Sequence, residues 1–364
     1  MLGNIADRQF SRRQLLKIAV LGAGAAALPP WVEKARAEGV LDADLAGGAD
    51  TFEGPLVDVG SDWLEVEVDG APRMLTVSSQ CTFWKGGRST LAEFASGDDV
   101  LVQTIGSQLG RAWSNLARVQ GVFLGRSGDA YVVRCSSCAR LDPVDAEVTV
   151  SEATLLEDGA TGLAVSSMPV LPAGTVLDSI GLAVDGGVRA TLLAYLKPSA
   201  QGKTSPPSGP DSIEPFAAVG PEGGTTCTYS YNGYASWFNC STGAGKCAKC
   251  STSRNDQCAW PHVDYVNGSY HPCNVGGSCK AQVQAPCGHA VYVSEPCQNR
   301  KITTYVADCG PNQNNLCSRW CACPSGNYNR RAPVVDLTKP TFARFWDPAT
   351  RGCFPCTAQV VVPC

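Results

Sequence analysis

The sequence predicts a mainly β protein built in modules, on three observations. Residues 52–196 alternate apolar and polar side chains over short runs and repeat one pattern twice. Sixteen of the 19 cysteines follow residue 225. Between these regions lies a stretch rich in Pro, Gly and Ser, with too few large apolar side chains to pack a core. The 364 residues are 44% hydrophobic and 17% charged, a globular composition. A chain of this length accommodates about two or three domains.

The first element is an export segment. Ser11-Arg12-Arg13-Gln14-Leu15-Leu16-Lys17 resembles the twin-arginine export motif, a paired Arg ahead of a modest apolar stretch. Residues 18–28 supply that stretch and are too few to span a bilayer. Ala35-Arg36-Ala37 offers a small-x-small cleavage pattern. A signal peptide over residues 1–37 is therefore expected, with cleavage after Ala37. The mature protein is expected in the periplasm or cell wall, with no membrane span.

Next come two β modules, expected at 52–119 and 120–197. Residues 54–66 align with 121–133, each an apolar strand, a turn with Gly and Asp, and a second strand. Thr76-Val77-Ser78 matches Thr149-Val150-Ser151, and Gly97 precedes Val100 much as Gly174 precedes Val176. The offset between copies grows from 67 to 77 residues, which predicts an insertion in the second. Leu64, Val66 and Val68 alternate, placing one strand face in a core. The two modules resemble small antiparallel OB-like barrels in tandem. With no paired acid, His or nucleophile, they read as scaffold. Cys135-Ser136-Ser137-Cys138 reads as a local disulfide, because a redox Cys-x-x-Cys needs a βαβ setting. Cys81 is left over. Residues 198–226 read as a linker, semi-extended by its prolines.

The region after the linker differs in charge and chemistry. Residues 38–224 carry 25 acidic and 11 basic side chains, whereas residues 225–364 carry 6 acidic and 12 basic. A basic exported domain suits an anionic polymer. It lacks the motifs and charge density of a nucleic-acid binder. Sixteen cysteines, an even number, predict up to eight disulfides in an oxidising compartment. Cys247-x-x-Cys250 and Cys353-x-x-Cys356 have the spacing of half zinc sites. The even count favours disulfides, so neither metal nor other cofactor is expected.

In order, this region offers Cys227-Thr228-Tyr229-Ser230-Tyr231, a Gly/Cys loop ending Lys246-Cys247-Ala248-Lys249-Cys250, and Pro286-Cys287-Gly288 before the strand Ala290-Val291-Tyr292-Val293. Then follow Asp308-Cys309-Gly310-Pro311 and Val334-Val335-Asp336-Leu337-Thr338, with a short helix after it that carries Phe342-Ala343. The helix is expected from Lys339 to Trp346, with Thr338 as N-cap and Pro340 in its first turn. The order resembles the double-psi β-barrel of expansins, rare lipoprotein A, barwin-like proteins and family 45 glycoside hydrolases. The resemblance covers residues 227–364 and implies a disulfide-rich six-stranded barrel.

The resemblance also implies roles. Asp336 falls on the family's functional acid, on a groove where partial burial lets a carboxyl donate a proton. Asp308, Gly310 and Pro311 fall on a structural turn. His262 is the nearest counterpart of a His used by the rare lipoprotein A-like lytic enzymes. Exposed aromatics would stack on sugar faces, which selects Tyr229, Tyr231, Tyr234, Trp237 and Trp260, with Thr228 beside them; Tyr265 and Trp320 are further candidates. Hydrolysis normally needs two carboxylates across the bond, and the segment from Tyr229 to Asn232 has none. The leading expectation is a non-hydrolytic, expansin-like protein that binds and loosens a wall polysaccharide such as peptidoglycan, chitin or cellulose. The alternatives are a peptidoglycan lytic transglycosylase, which needs one acid, and a barwin-like inhibitor whose partner is a protease.

Overall fold

A computed structural model describes residues 49–137, 145–198, 216–219, 225–240, 245–264, 273–274, 282–311, 316, 319–323 and 329–363. The expected signal peptide, Cys138, Tyr265 and most of the expected linker lie outside the described residues. The protein is mainly β, and three of its sheets close into barrels.

The first barrel comprises β1 (Asp50–Val59), β2 (Trp63–Val68), β3 (Ala71–Trp84), β5 (Asp99–Ile105) and β6 (Gln108–Ser114), with β4 (Arg88–Ser89) on the margin of β3. The five long strands close in the order β2-β1-β5-β6-β3 through the β2–β3 pair. Only β3 and β6 run parallel. Alternation does the work: Leu64 and Val66 enter a core with Phe52, Leu56, Val100 and Val102, while Glu65 and Glu67 turn away.

The second barrel comprises β7 (Leu116–Ser127), β8 (Ala130–Ser137), β9 (Asp145–Thr149), β12 (Val176–Val184) and β13 (Gly187–Leu196); β10 (Leu155–Asp158) and β11 (Leu163–Val165) extend it. Its ring runs β8-β7-β12-β13-β9, and β9 and β13 form the ring's parallel pair. Strand for strand, this is the order of the first barrel. The irregularities coincide too. The first hairpin slips register between Leu56↔Val66 and Asp58↔Glu65, the second between Phe123↔Val133 and Gly125↔Val132. Gly97 donates its amide to the Leu56 carbonyl, as Gly174 does to that of Phe123.

The third barrel comprises β15 (Thr225–Phe238), β16 (Gln257–Trp260), β20 (Ala290–Glu295), β21 (Arg300–Cys309), β24 (Pro333–Thr338) and β25 (Cys353–Pro363). The ring runs β15-β24-β16-β21-β20-β25 and closes through β15–β25, with β15–β24 and β16–β21 parallel. Outside it lie β17 (His262–Asp264), β18 (Cys273–Asn274) and β19 (Ala285–Pro286) in one small sheet, and β22 (Trp320–Ala322) with β23 (Asn329–Arg331) in another. One correction concerns the linker. Its later part holds β14 (Phe216–Val219), which pairs antiparallel with the start of β15, so β structure begins before Cys227. The expected helix is shorter: α1 spans Lys339–Ala343, with Pro340 in its first turn.

Four bridges join Cys240–Cys250, Cys247–Cys287, Cys297–Cys323 and Cys321–Cys353; Cys135, Cys227 and Cys309 are also disulfide-bonded. Cys258 remains a thiol inside the third barrel's core, and the half-buried Cys81 of the first barrel is a thiol too. The expectation of up to eight C-terminal bridges therefore falls to at most seven. The inward side of a strand positions Cys258 among Val and Leu side chains, and burial pushes its thiol up to about 12.

Besides their own cores, the barrels share an apolar seam. Trp84, Leu101, Trp113, Leu116, Ile180 and Leu192 from the first two pack in the same cluster as Trp237, Phe342 and Phe354 of the third. Several buried polar groups at this seam are paired. Lys339 of α1 donates to Glu53 Oε1 at 2.7 Å and to the Leu116 carbonyl at 2.8 Å, and both charged side chains are buried. Thr51 Oγ1 donates to the Pro340 carbonyl at 2.8 Å, and Trp113 Nε1 to Asp347 at 2.9 Å.

Candidate functional site

The site is built where β24 passes between β15 and β16. Val335 and Leu337 point into the barrel, so the pleat turns Asp336 to the outer face. Its partners across the sheet are Ser236 on β15 and Ala259 on β16. The Ser236 hydroxyl donates to Asp336 Oδ1. Gly310 lies on the other side: a Cβ there would stand 3.6 Å from Asp336 Oδ2. The helix-cap role open to Asp336 is not taken up. Thr338 occupies the N-cap position, and its hydroxyl instead meets that of Thr341 at 2.7 Å.

The second barrel brings charge to this site. Arg118 on β7 makes a bidentate pair with Asp178 on β12, Nε to Oδ1 at 2.7 Å and Nη2 to Oδ2 at 2.8 Å. Its Nη1 donates to the Trp237 carbonyl, one residue beyond Ser236. Arg319 sets a second guanidinium against Asp178. Arg118, Asp178 and Arg319 are all buried. Burial raises the pKa of Asp336, as does the nearby Asp308 carboxylate; Arg118, the Ser236 hydroxyl and Arg319 act in the opposite sense. Burial prevails, so the carboxyl holds its proton above the usual range. The acid was expected on an open groove. Instead it is part-buried, with Arg118 of the second barrel bonded to the neighbouring Trp237 carbonyl.

Asp308 has the structural role expected of it. Its Oδ1 accepts from the amides of Lys246 and Cys309, each at 2.7 Å. Gly245, at φ +82°, allows this approach: a Cβ there would lie 2.9 Å from the Asp308 carboxyl carbon. Gly310 and Pro311 follow, both buried and joined by a cis bond. Asp308 and Asp178 are thus committed to amides and to arginines. No second uncommitted carboxylate faces Asp336 among the described residues.

Four of the aromatic candidates do not fit their expected role. Tyr231, Tyr234, Trp237 and Trp260 are at most 2% exposed, leaving no ring face for a sugar. Tyr231 and Trp260 meet edge to face inside the barrel, and both reach Val283 by hydrogen bonds. Trp237 packs on Phe342, and Tyr234 on the Cys321–Cys353 bridge. The inward phase of a long strand, or a neighbouring element's cover, decides this, and neither shows in composition. Thr228 and Tyr229 are half-buried, and so is Trp320. His262 lies on β17, in a separate small sheet, with Nδ1 3.3 Å from the Gln282 carbonyl.

The half zinc sites are not assembled. Cys247, Cys250 and Cys353 are each in a bridge to a residue outside their own motif. A cluster of Glu295, Cys297 and Cys323 has its two sulfurs joined, and Glu295 accepts amides of Cys297 and Gln298 at 2.8 Å. Sequence reasoning overlooked two solvent-facing rings, Tyr292 on β20 and Tyr305 on β21. The alternation Val291-Tyr292-Val293 carried that signal. No protein-family model matches the chain, and no curated protein sequence matches it.

Proposed function

We propose that this is an extracytoplasmic, non-hydrolytic protein of the expansin-like type that binds and loosens a cell-wall polysaccharide. The observation that carries the reading is the single acid Asp336 on the outer face of β24, with no second uncommitted carboxylate among the described residues beside it. Two-carboxylate hydrolysis has no second partner there. The part-exposed Asp336 carboxyl, held in place by the Ser236 hydroxyl, can still exchange hydrogen bonds with a glycan, which is what prising chains apart requires. The closed six-stranded ring with two parallel pairs is consistent with the double-psi barrel. The matching order and matching bulges of the five-stranded rings support a tandem OB-like repeat. The bridged cysteines suit an oxidising compartment reached through the twin-arginine-type segment.

Incubation of the mature protein with peptidoglycan, chitin and cellulose tests the reading. Sedimentation with at least one polymer and no soluble product by mass spectrometry supports it. Release of anhydro-muropeptides would assign Asp336 to a lytic transglycosylase instead. Inhibition of a protease with no polymer bound would point to the barwin-like inhibitor reading.

A further inference from the structure

The wall of the third barrel opposite Asp336 presents a different surface. In the six-membered ring β20 stands three strands from β24, on the far side. Across β15, β25, β20 and β21 the registers place Ser230, Gln359, Tyr292 and Thr303 in one row. Asn232, Thr357, Ser294 and Lys301 form the next. Their sequence neighbours Tyr231, Ala358 and Val293 point into the core, so both rows face outward. Tyr292 is 46% exposed, and Tyr305, further along β21, is 38% exposed.

The rows are ordered by their own hydrogen bonds. Gln359 Nε2 donates to Ser230 Oγ at 2.8 Å, and Thr357 Oγ1 to Asn232 Oδ1 at 2.6 Å. Lys301 is the one ionisable side chain besides the Tyr292 phenol in the two rows. Four strands at about 4.8 Å spacing make each row about 14 Å long, enough for a few sugar rings.

We propose that this wall is a docking platform for an uncharged polysaccharide chain lying across the strands, with Tyr292 stacked on a sugar face and the flanking hydroxyls and amides bonding its hydroxyls. The proposal rests on the polysaccharide-binding reading and moves the grip from the Asp336 face to the opposite wall. Charge complementarity selects the occupant. Hydroxyls and amides match a neutral polyol. A nucleic acid or phosphorylated partner needs clustered cations, which these rows lack. A stable protein interface centres on a buried apolar core, and here the exposed rings are set among polar side chains.

The test is sedimentation of the full mature protein with cellulose, chitin and peptidoglycan, in low and high salt. Tyr292→Ala should weaken binding about tenfold or more, a loss of roughly 1.4 kcal/mol. Tyr292→Phe should bind as the parent does, and salt should change little. Unaltered melting of both variants confirms that they fold. Parent-like binding by Tyr292→Ala overturns the platform, and if Asp336→Asn then abolishes binding, the Asp336 face is the grip and the polysaccharide reading survives. Binding lost in high salt overturns the uncharged occupant. A parent protein that binds none of the polymers overturns platform and reading together.

Discussion

Asp336 illustrates how one residue's neighbours set its chemistry. Burial holds its carboxyl protonated above the ordinary range against the pull of Arg118. A raised folded-state pKa favours folding most at low pH, and that contribution is lost as pH rises from about 4 through the folded value. Asp336→Asn keeps an acceptor for Ser236 and does not ionise. The variant should therefore match the parent in melting temperature near pH 4 and gain on it progressively toward neutral pH. A variant less stable than the parent at neutral pH would contradict this account of the carboxyl. Asp336 was singled out by the family-like motif Asp336-Leu337-Thr338, and it lies in an apolar strand. Arg118 was not, because it reaches the site only when two distant modules pack. The buried tyrosines and tryptophans were misread for the same reason: aromatic character shows in sequence, but the side of the sheet that becomes covered does not.

At the scale of elements, the β character of residues 52–196 was legible because strand alternation shows along the chain itself. The aligned glycines have a physical reason too. A Cβ on Gly54 would lie 1.9 Å from the Glu67 carbonyl oxygen, and one on Gly121 would lie 2.0 Å from that of Arg134. Each glycine lets the second strand cross close over the first, just before the register slips. Gly121→Ala should cost about 1–3 kcal/mol, the range for forcing atoms into a packed site. Gly125→Ala, with nothing within 4 Å, should stay within about 0.5 kcal/mol of the parent. Urea titration of the two variants checks the contrast, and equal stabilities would contradict it. The strand β14 was missed because its Pro- and Gly-rich flanks read as linker, although Phe216-Ala217-Ala218-Val219 is apolar enough to add to a sheet.

At the scale of the whole molecule, the concentration of cysteines after residue 225 suggests two regions that unfold separately. The shared apolar seam and the buried Lys339–Glu53 pair argue for coupling. Breaking one partner of a buried pair costs about 3–5 kcal/mol. Lys339→Met should therefore lower the melting of all three barrels together, in one calorimetric transition. Two transitions, with only one displaced, would mean that the seam holds nothing. This seam also places Arg118 and Asp178 beside the acid, so the second barrel contributes to the site. The central claim is that the protein loosens a wall without cutting it. Its most direct test is the extension of a wall strip under constant load, with new chain ends counted in the same strip. The account predicts extension with the parent protein, none with Asp336→Asn, and no new ends in either case. New reducing or anhydro ends that rise in step with extension would contradict it.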